Sequence, residues 1–265
     1  MSPPGASEGV PISARAPGPH LVGQPPMSGR ANSPDSVMTM LNVIALIPGY
    51  QEGPRIGAVV STARLHLPVL VVDDGSTDDT AAQAQAAGAT VVRQVPNQGK
   101  GAALREGFRH ALERGVDAVI TIDADGQHDP AEIPRFLAAF DATRPELIVG
   151  RRDFRRMPPI RRLSNAIGGL ILSSAIGRSI PDNQSGYRLV GRRLMSTLLA
   201  SEEDGFAFEV EMIARCIALD LPIVWVPIRT IYAGAPSHIR PWAHFVSFLR
   251  AARDARRIVR GAERH

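Results

Sequence analysis

The sequence predicts an α/β fold in which a mostly parallel central sheet is flanked by helices. From Asn42 onwards, short and nearly continuous apolar segments, typical of strands buried on both faces, alternate with segments of helical apolar spacing. Acidic residues follow two of these strands, at the edge where open parallel sheets bind ligands. A length of 265 residues with 44% apolar residues suits one domain with a substantial core.

The first half of the pattern contains three strands and two helices. NVIALI, from Asn42, is a short apolar strand, and RIGAVVSTARL after it has apolar residues at helical spacing. VLVVDD is the second strand. Ser76 and Asp79 have the spacing of a capping box, which predicts a helix that continues to about Ala87. TVVR is then the third strand.

The second half adds a helix, a strand, another helix and a fifth strand. In KGAALREGFRHALERG, Leu104, Phe108 and Leu112 share one helical face, and Gly115 is placed to end the helix. AVITID is the fourth strand. The sequence DPAE, from Asp129, begins the next helix, and ELIVG is the fifth strand.

Segments of different composition flank this pattern, so the predicted boundaries are 1–37 for a tail, 38–240 for the domain and 241–265 for a C-terminal helix. The tail is rich in Pro, Gly and Ser, which predicts disorder. The helix is basic and amphipathic, with Phe248 and Leu249 near one face. It either packs on the domain with a solvated basic face or docks on an anionic membrane surface.

Composition and charge narrow the classes of partner. The net charge of +4 fits anionic partners, and the single cysteine, Cys216, excludes an intramolecular disulfide. Aromatic residues make up 5% and no nucleic-acid motif is present, so we expect no nucleic-acid partner. No uncharged run reaches the roughly 20 residues of a membrane-spanning helix, and no signal peptide is evident. We therefore expect a cytoplasmic protein, soluble or peripheral on the cytoplasmic face of the membrane.

Two acidic clusters mark the predicted ligand edge of the sheet. Asp73 and Asp74 end the second strand, and Asp123 and Asp125 end the fourth. Aspartate is also common in ordinary turns after strands. Because both clusters lie at the same predicted edge, they favour a binding site.

The second cluster has the spacing of a metal site. Asp123, Asp125 and Gln127 follow one another at every second residue, so in an extended segment they lie on one side. Two carboxylates and an amide oxygen suit Mg²⁺ or Mn²⁺, which take further ligands from water and substrate phosphates. A calcium EF-hand does not match, because its sixth position would be His128 instead of glycine. We interpret His128 as a loop residue.

Five segments occur in the order IPGYQEG, VVDDGSTDDT, NQGKGAALREGF, DADGQHDP and DNQSGYRL. Together they resemble the family 2 glycosyltransferases, most of all the dolichol- or polyprenyl-phosphate hexose synthases, over about residues 42–240. The resemblance implies a single-domain GT-A (nucleotide-diphospho-sugar transferase) fold, a UDP-glucose- or GDP-mannose-type donor, Mg²⁺ or Mn²⁺, and an inverting transfer to polyprenyl phosphate. A saccharide or other hydroxyl acceptor in cell-envelope synthesis is the alternative.

The resemblance also implies roles for individual residues on the donor side. The metal ligands would be Asp123, Asp125 and Gln127. Either Asp73 or Asp74 would contact the base or ribose, the other serving a turn, and Lys100 would lie near the nucleotide or be a solvated first-turn residue. The residues implied in donor binding are Pro48, Tyr50, Glu52, Asp73, Asp74, Lys100, Asp123 and Arg151.

The acceptor side follows from DNQSGYRL, in which Arg188 is a candidate phosphate ligand and Tyr187 a packing residue. The candidate catalytic residues are Asp125, Arg188 and Asp182. A hydroxyl acceptor would need a general base, for which Asp182, Glu209 and Glu211 are candidates. At most one of the two glutamates points into the cleft, because residues two apart on a helix face different ways. SHIR, 237–240, could close over the pyrophosphate or lie at the surface.

Other classes are less well supported. VVDDGST superficially resembles a haloacid-type phosphatase motif, but that chemistry needs D-x-D-G-T and here the aspartates are adjacent. A dinucleotide-dependent oxidoreductase lacks G-x-G-x-x-G after the first strand. A catalytically inactive scaffold would bind no nucleotide-sugar in the presence of metal.

Overall fold

The computed structural model describes residues 41–154, 159–205, 207–229, 231 and 241–262, without side-chain placement at 159–161, 163–164 and 241–246. The predicted tail, 1–37, and the SHIR segment lie outside these residues. The strands are β1 Val43–Gly49, β2 Val69–Asp73, β3 Thr90–Arg93, β4 Ala118–Thr121, β5 Leu147–Arg152, β6 Arg188–Gly191 and β7 Ile223–Ile228. The helices are α1 Gly53–Ala63, α2 Thr80–Ala86, α3 Lys100–Glu113, α4 Ile133–Thr143, α5 Pro159–Ile176, α6 Arg192–Leu198, α7 Ala207–Ala218 and α8 Pro241–Ala262.

The predicted α/β fold is confirmed, with one seven-stranded sheet in the order β3-β2-β1-β4-β6-β5-β7. All neighbouring pairs are parallel except those of β6, which runs antiparallel to β4 and β5. The carboxyl ends of β1, β2, β4 and β5 therefore share one edge of the sheet with the amino end of β6. Both predicted acidic clusters lie at this edge.

Apolar residues on the two faces of the sheet form two cores. One core joins α3, α5, α6, α7 and α8 to the sheet, for example through Phe108 and Met212. The other joins α1, α2 and α4, for example through Ile56 and Phe136. Strands buried on both faces explain why their sequences are continuously apolar and show no alternation.

The predicted capping box is wrong. The hydroxyl of Ser76 accepts a hydrogen bond from the backbone N–H of Gln51 at 3.0 Å, so it is not available to a helix. The helix begins at Thr80, whose backbone N–H donates to Oδ1 of Asp78 at 3.1 Å. Ser76 therefore binds the loop after β1 and does not cap α2, as the local pattern had predicted.

The C-terminal helix packs on the domain. Buried residues of α8, including Phe248, Ala252 and Val259, belong to the core that contains α5 and α7. The packing interpretation is therefore confirmed for one face of α8. Across the described residues, no helix combines the length and the apolar character needed to cross a membrane.

Gly107 allows α3 to lie close against β1, and this gives a stability prediction. A Cβ at this position would overlap the methyl groups of Leu46, which is fully buried. Gly107→Ala is expected to lower the free energy of unfolding by about 1–3 kcal/mol because the core is overpacked. Urea denaturation measures this, with Gly261→Ala in α8, where a Cβ meets open space, as the control. Equal stability of the two variants would contradict the close approach.

Candidate active site

Asp123 is the centre of a network of ion pairs. Its Oδ1 lies 2.5 Å from Nζ of Lys100, and the same ammonium group lies 3.0 Å from Oε1 of Glu209. Burial would raise the pKa of Asp123, but Lys100 and His128 outweigh that effect and hold the pKa at about 2. Burial would lower the pKa of Lys100, but the two carboxylates raise it above its ordinary value. Lys100 is therefore not the solvated first-turn residue of the alternative interpretation.

His128 and Tyr187 are buried next to Asp123. Nδ1 of His128 lies 3.4 Å from Oδ2 of Asp123 without making a hydrogen bond. Burial lowers the pKa of His128, so its imidazole is neutral at pH 7. Tyr187 is fully buried and stacks on Phe136 with ring centres 4.5 Å apart, which confirms its packing role.

Gly186 allows a close approach to Asp123. A Cβ at position 186 would overlap both carboxylate oxygens of Asp123. The hydroxyl of Thr121, the last residue of β4, donates to the carbonyl of Gly186 at 2.7 Å and holds the two segments together. The DNQSGYRL motif is thus anchored beside the acidic pair, and its glycine is a steric requirement.

Asp125 and Gln127 form a tight turn after β4. Oδ1 of Asp125 accepts from the backbone N–H of Gln127 at 2.9 Å, and Oδ2 accepts from Nε2 at 2.8 Å. Gly126 between them has φ +74°, which glycine adopts without strain. The carbonyl of Gln127 accepts from the backbone N–H of Ile231 at 3.0 Å.

The donor set at this edge fits a hard divalent cation. Asp123, Asp125 and Gln127 offer two carboxylates and an amide, and Mg²⁺ and Mn²⁺ prefer oxygen ligands. In the part of the chain that the structure describes, no three His, Cys, Asp or Glu side chains are grouped as a metal site. The Lys100 ammonium group balances the charge on Asp123 that a bound cation would balance.

The carboxylates of Asp73 and Asp74 are buried and hold loops together. Oδ2 of Asp73 accepts from Nε of Arg93 at 2.9 Å. Asp74 accepts from the backbone N–H groups of Gln98 and Gly99, both at 2.8 Å. Burial raises the pKa of Asp74 above its ordinary value, although these N–H groups oppose the shift. Contact of either residue with a base or ribose stays a prediction.

The predicted nucleotide loop after β1 lies at the same edge. The carbonyl of Gly49 accepts from the backbone N–H of Asp74 at 2.9 Å. Pro48 is partly buried within β1, and Tyr50 is half exposed. Glu52, which directly precedes α1, pairs with Arg55 of its first turn at 2.8 Å. Tyr50 and Gln51 are the exposed side chains of this loop.

Asp182 is fully engaged by Arg152. Its two carboxylate oxygens accept from Nε and Nη2 of Arg152 at 2.8 and 2.9 Å, and Asp182 is only 2% exposed. The backbone N–H groups of Arg152 and Gln184 also donate to the carboxylate, both at 3.1 Å, so each oxygen accepts two hydrogen bonds and none of its lone pairs is left for proton transfer. The assignment of Asp182 as a general base does not fit this arrangement. We assign it instead the role of positioning Arg152.

Arg188 is a structural residue. Its guanidinium group donates to the backbone carbonyls of Ser185, Asn183 and Glu209 at 2.8, 3.1 and 2.6 Å, and it is fully buried. Burial lowers its pKa, while the carboxylates of Glu209 and Asp182 oppose the shift. With its donors used inside the protein, Arg188 does not fit the predicted role of a phosphate ligand.

The two glutamates of α7 have separate environments, as their spacing predicts. Glu209 pairs with Lys100, which also contacts Asp123. Glu211 accepts from the hydroxyl of Ser201 at 2.6 Å and pairs with Arg215 at 2.5 Å, away from the site. Of the two glutamates, Glu209 contacts the Asp123 network through Lys100; which of them points into the cleft stays a prediction.

A cavity of about 680 Å³ lies at the ends of β5 and β7, beside this network. The segment 182–186 connects the two, because Asp182 pairs with Arg152 of the cavity wall and Gly186 packs on Asp123. Three guanidinium groups and several apolar side chains line the cavity. Its lining residues are Arg151, Arg152, Asp153, Phe154, Arg162, Pro181, Pro227 and Ile228.

Sequence reasoning placed Arg151 at this edge but missed Arg162 and the pairing of Glu209 with Lys100. Arg162 belongs to α5, and only the folded chain brings the first turns of that helix to the end of β5. The spacing of 109 residues between Lys100 and Glu209 carries no local signal. The local signal for this pairing is a glutamate among apolar residues of one helix, as in FEVEM, because a buried carboxylate needs a positively charged partner.

Comparison with known proteins agrees with this geometry. The model of the glycosyl transferase family 2 matches residues 44–199. An undecaprenyl-phosphate mannosyltransferase from Micrococcus luteus is 32% identical over 206 residues, which cover 72% of this chain and 84% of the relative. A polyprenol monophosphomannose synthase from Mycolicibacterium smegmatis is 30% identical over 216 residues, covering 76% and 81%.

Solved structures support the fold. Glucosyl-3-phosphoglycerate synthase from Mycobacterium tuberculosis, crystallised with Mn²⁺, UDP-glucose and phosphoglyceric acid, superposes with a TM-score of 0.64 at 20% identity. The match covers 84% of this chain and 80% of that one. The sheet order, the ordered motifs and the family match lead to one conclusion: the chain belongs to glycosyl transferase family 2 and is a glycosyltransferase with a GT-A-like fold.

Proposed function

We propose that this glycosyltransferase moves a hexose, with inversion, from a nucleotide-sugar to the phosphate of a polyprenyl phosphate at a membrane surface. The observation that carries the proposal is the cavity lined by Arg151, Arg152 and Arg162 next to the Asp123 network. Guanidinium groups bind phosphate oxygens in pairs, and the apolar residues in the same wall suit the lipid that follows the phosphate. The two relatives named above carry a polyprenyl phosphate product or substrate in their names, which supports this acceptor.

The state of the carboxylates favours a phosphate acceptor over a hydroxyl acceptor. Each of the three candidate bases is paired with a cation: Asp182 with Arg152, Glu209 with Lys100 and Glu211 with Arg215. A hydroxyl group needs a base to remove its proton, whereas a phosphate monoester is already ionised near neutral pH. The arginines of the cavity then need only to position the attacking oxygen.

On the donor side, Asp123, Asp125 and Gln127 would hold Mg²⁺ or Mn²⁺. When bound, the cation supplies electrostatic stabilisation of the negative charge that develops on the leaving nucleoside diphosphate. Lys100 keeps Asp123 ionised through its ion pair, and its positive charge would also stabilise the leaving nucleoside diphosphate. Tyr50 and the loop after β1 would contact the nucleotide.

Transfer of radiolabel tests the proposal. The purified chain is incubated with UDP-glucose or GDP-mannose and polyprenyl phosphate in detergent, with and without EDTA. We expect EDTA-sensitive label in the organic-extractable lipid. Donor hydrolysis or binding without lipid labelling would contradict the lipid acceptor and direct the search to saccharide hydroxyls. Failure to bind any nucleotide-sugar in the presence of Mn²⁺ would contradict the proposal that this site binds the sugar donor.

The cavity arginines give a separate prediction. Arg151→Ala and Arg162→Ala are expected to raise KM for polyprenyl phosphate about tenfold each, because a charge-assisted hydrogen bond contributes about 1.5–3 kcal/mol. The affinity for the nucleotide-sugar should not change, and this result would assign Arg151 to the acceptor and not to the donor, on whose side the resemblance placed it. Steady-state kinetics with each substrate varied in turn measures both quantities, with Arg114→Ala at the far end of α3 as the control. An effect on donor affinity alone would assign the cavity to the donor.

A further inference from the structure

One ammonium group is shared by two carboxylates, of which only Asp123 is a proposed metal ligand. Nζ of Lys100 lies 2.5 Å from Oδ1 of Asp123 and 3.0 Å from Oε1 of Glu209. Glu209 is 3% exposed, and its backbone carbonyl accepts a hydrogen bond from the buried Arg188 at 2.6 Å. Lys100 therefore has a second partner, anchored in the core beside the proposed cation site.

The other proposed ligands also have partners within the chain. Both carboxylate oxygens of Asp125 accept hydrogen bonds from Gln127, one from its backbone N–H and one from its side-chain amide. These donors are neutral, so they do not repel a cation. The ammonium group on Asp123 does repel it, and Lys100 is therefore the group that a cation on Asp123 must displace.

The side chain of Lys100 can leave Asp123 without a movement of its backbone. The backbone is held on both sides, since the N–H of Gly99 donates to a buried carboxylate at 2.8 Å and the N–H of Gly101 donates to the carbonyl of Asp204 at 2.7 Å. The ammonium group lies at the end of a flexible aliphatic chain, and the side chain is 35% exposed. It can turn towards another anion while the helix keeps its place.

We propose that Lys100 competes with the divalent cation for Asp123, and that the diphosphate of the donor relieves this competition. The competition rests on the proposed function, because the diphosphate belongs to the nucleotide-sugar. Its negative oxygens attract the ammonium group away from Asp123, and they also complete the coordination of the cation. Glu209 keeps the displaced ammonium group beside the diphosphate and is thus a positioning residue for Lys100. The cation then binds tightly only together with the nucleotide, and it leaves when the nucleotide leaves.

Binding of Mn²⁺ to the full chain tests the competition without any sugar transfer. Electron paramagnetic resonance measures free Mn²⁺, first with the protein alone and then with UDP or GDP added, and the nucleotide without protein is the blank. We expect weak binding by the wild-type protein and about tenfold stronger binding with nucleotide, within the usual range of coupling between two sites. By linkage, Mn²⁺ should raise the affinity for the nucleotide by the same factor.

Two variants are expected to change the Mn²⁺ affinity in opposite directions. Lys100→Gln removes the competing charge, so the protein without nucleotide should bind Mn²⁺ about tenfold more tightly, and the effect of the nucleotide should shrink. Glu209→Gln leaves Asp123 as the only carboxylate partner of the ammonium group, so it should weaken Mn²⁺ binding about fivefold. A loss of packing alone would weaken binding in both variants. A general effect of charge would change the Mn²⁺ affinity by the same factor with and without nucleotide.

Matched controls remove the same charges at the other end of α3. Glu113 and Arg114 are exposed and lie about 20 Å from Lys100 along the helix axis, at 1.5 Å per residue. Glu113→Gln and Arg114→Gln should both bind Mn²⁺ like the wild type. Each site variant is compared with the control that loses the same charge, so the test remains decisive if one site variant does not fold.

Three results would overturn the competition: wild-type Mn²⁺ affinity in Lys100→Gln, an undiminished effect of the nucleotide in that variant, or unchanged or tighter binding in Glu209→Gln. Absence of Mn²⁺ binding by the wild type with either nucleotide would overturn it as well. The transfer assay decides the proposed function separately. Absence of sugar transfer by a wild type that binds Mn²⁺ as expected would reject the proposed function, whereas transfer together with an unaltered Lys100→Gln affinity would reject only the competition.

Discussion

Replacing Asp125 by alanine is expected to lower the rate of sugar transfer by about a hundredfold to a thousandfold, the effect of losing one preorganised electrostatic contact to the reacting charge. The metal proposed between Asp123, Asp125 and Gln127 would lose one of its two carboxylates. The fold should survive, because the Asp125 side chain accepts its hydrogen bonds from Gln127, within its own turn.

Two measurements separate this effect from misfolding. Isothermal titration of the nucleotide-sugar with and without Mn²⁺ should show metal-dependent binding in the wild type and its loss in Asp125→Ala. Asp141→Ala is the matched control, since Asp141 is exposed in α4 and pairs with Arg144 at 3.3 Å. Metal-dependent donor binding that persists in Asp125→Ala would reject Asp125 as a ligand.

Replacing Arg188 by methionine is expected to lower the free energy of unfolding by about 3–5 kcal/mol. The change leaves the carbonyls of Asn183, Ser185 and Glu209 without their guanidinium donor in a fully buried place. It also removes the positive charge near the carboxylates of Asp182 and Glu209. Because small domains have only about 5–15 kcal/mol of stability, this is a large fraction of the total.

Urea denaturation measures the loss, and Arg151→Met is the comparison because Arg151 is exposed on β5. The exposed variant should stay within about 0.5 kcal/mol of the wild type. The two arginines should therefore show opposite behaviour: Arg188 affects stability, and Arg151 affects the acceptor KM. If Arg188→Met is as stable as the wild type but binds polyprenyl phosphate weakly, the original assignment as a phosphate ligand is restored.

The sequence predicted the sheet and the edge at which both acidic clusters lie, because both depend on local signals. Continuous apolar segments such as VLVVDD identify strands buried on both faces, and acidic residues directly after them must lie at the carboxyl edge. The antiparallel strand β6 was not predicted, because RLVG, from Arg188, has only four residues, begins with a charged residue and ends with glycine, which is depleted in strands. The capping box was misassigned because Ser76 binds a loop 25 residues earlier in the chain.

The sequence by itself determined the family, the α/β fold and the placement of Asp123 and Asp125 at one edge, since ordered motifs and strand ends are local features. Only the tertiary structure decided which charged groups are available for chemistry. Asp182 and Arg188 are of residue types suited to catalysis. In the folded chain, however, Asp182 accepts hydrogen bonds from Arg152, and Arg188 donates to buried carbonyls such as that of Glu209. The physical reason is that burial and pairing depend on contacts across the chain, as between Lys100 and Glu209, 109 residues apart.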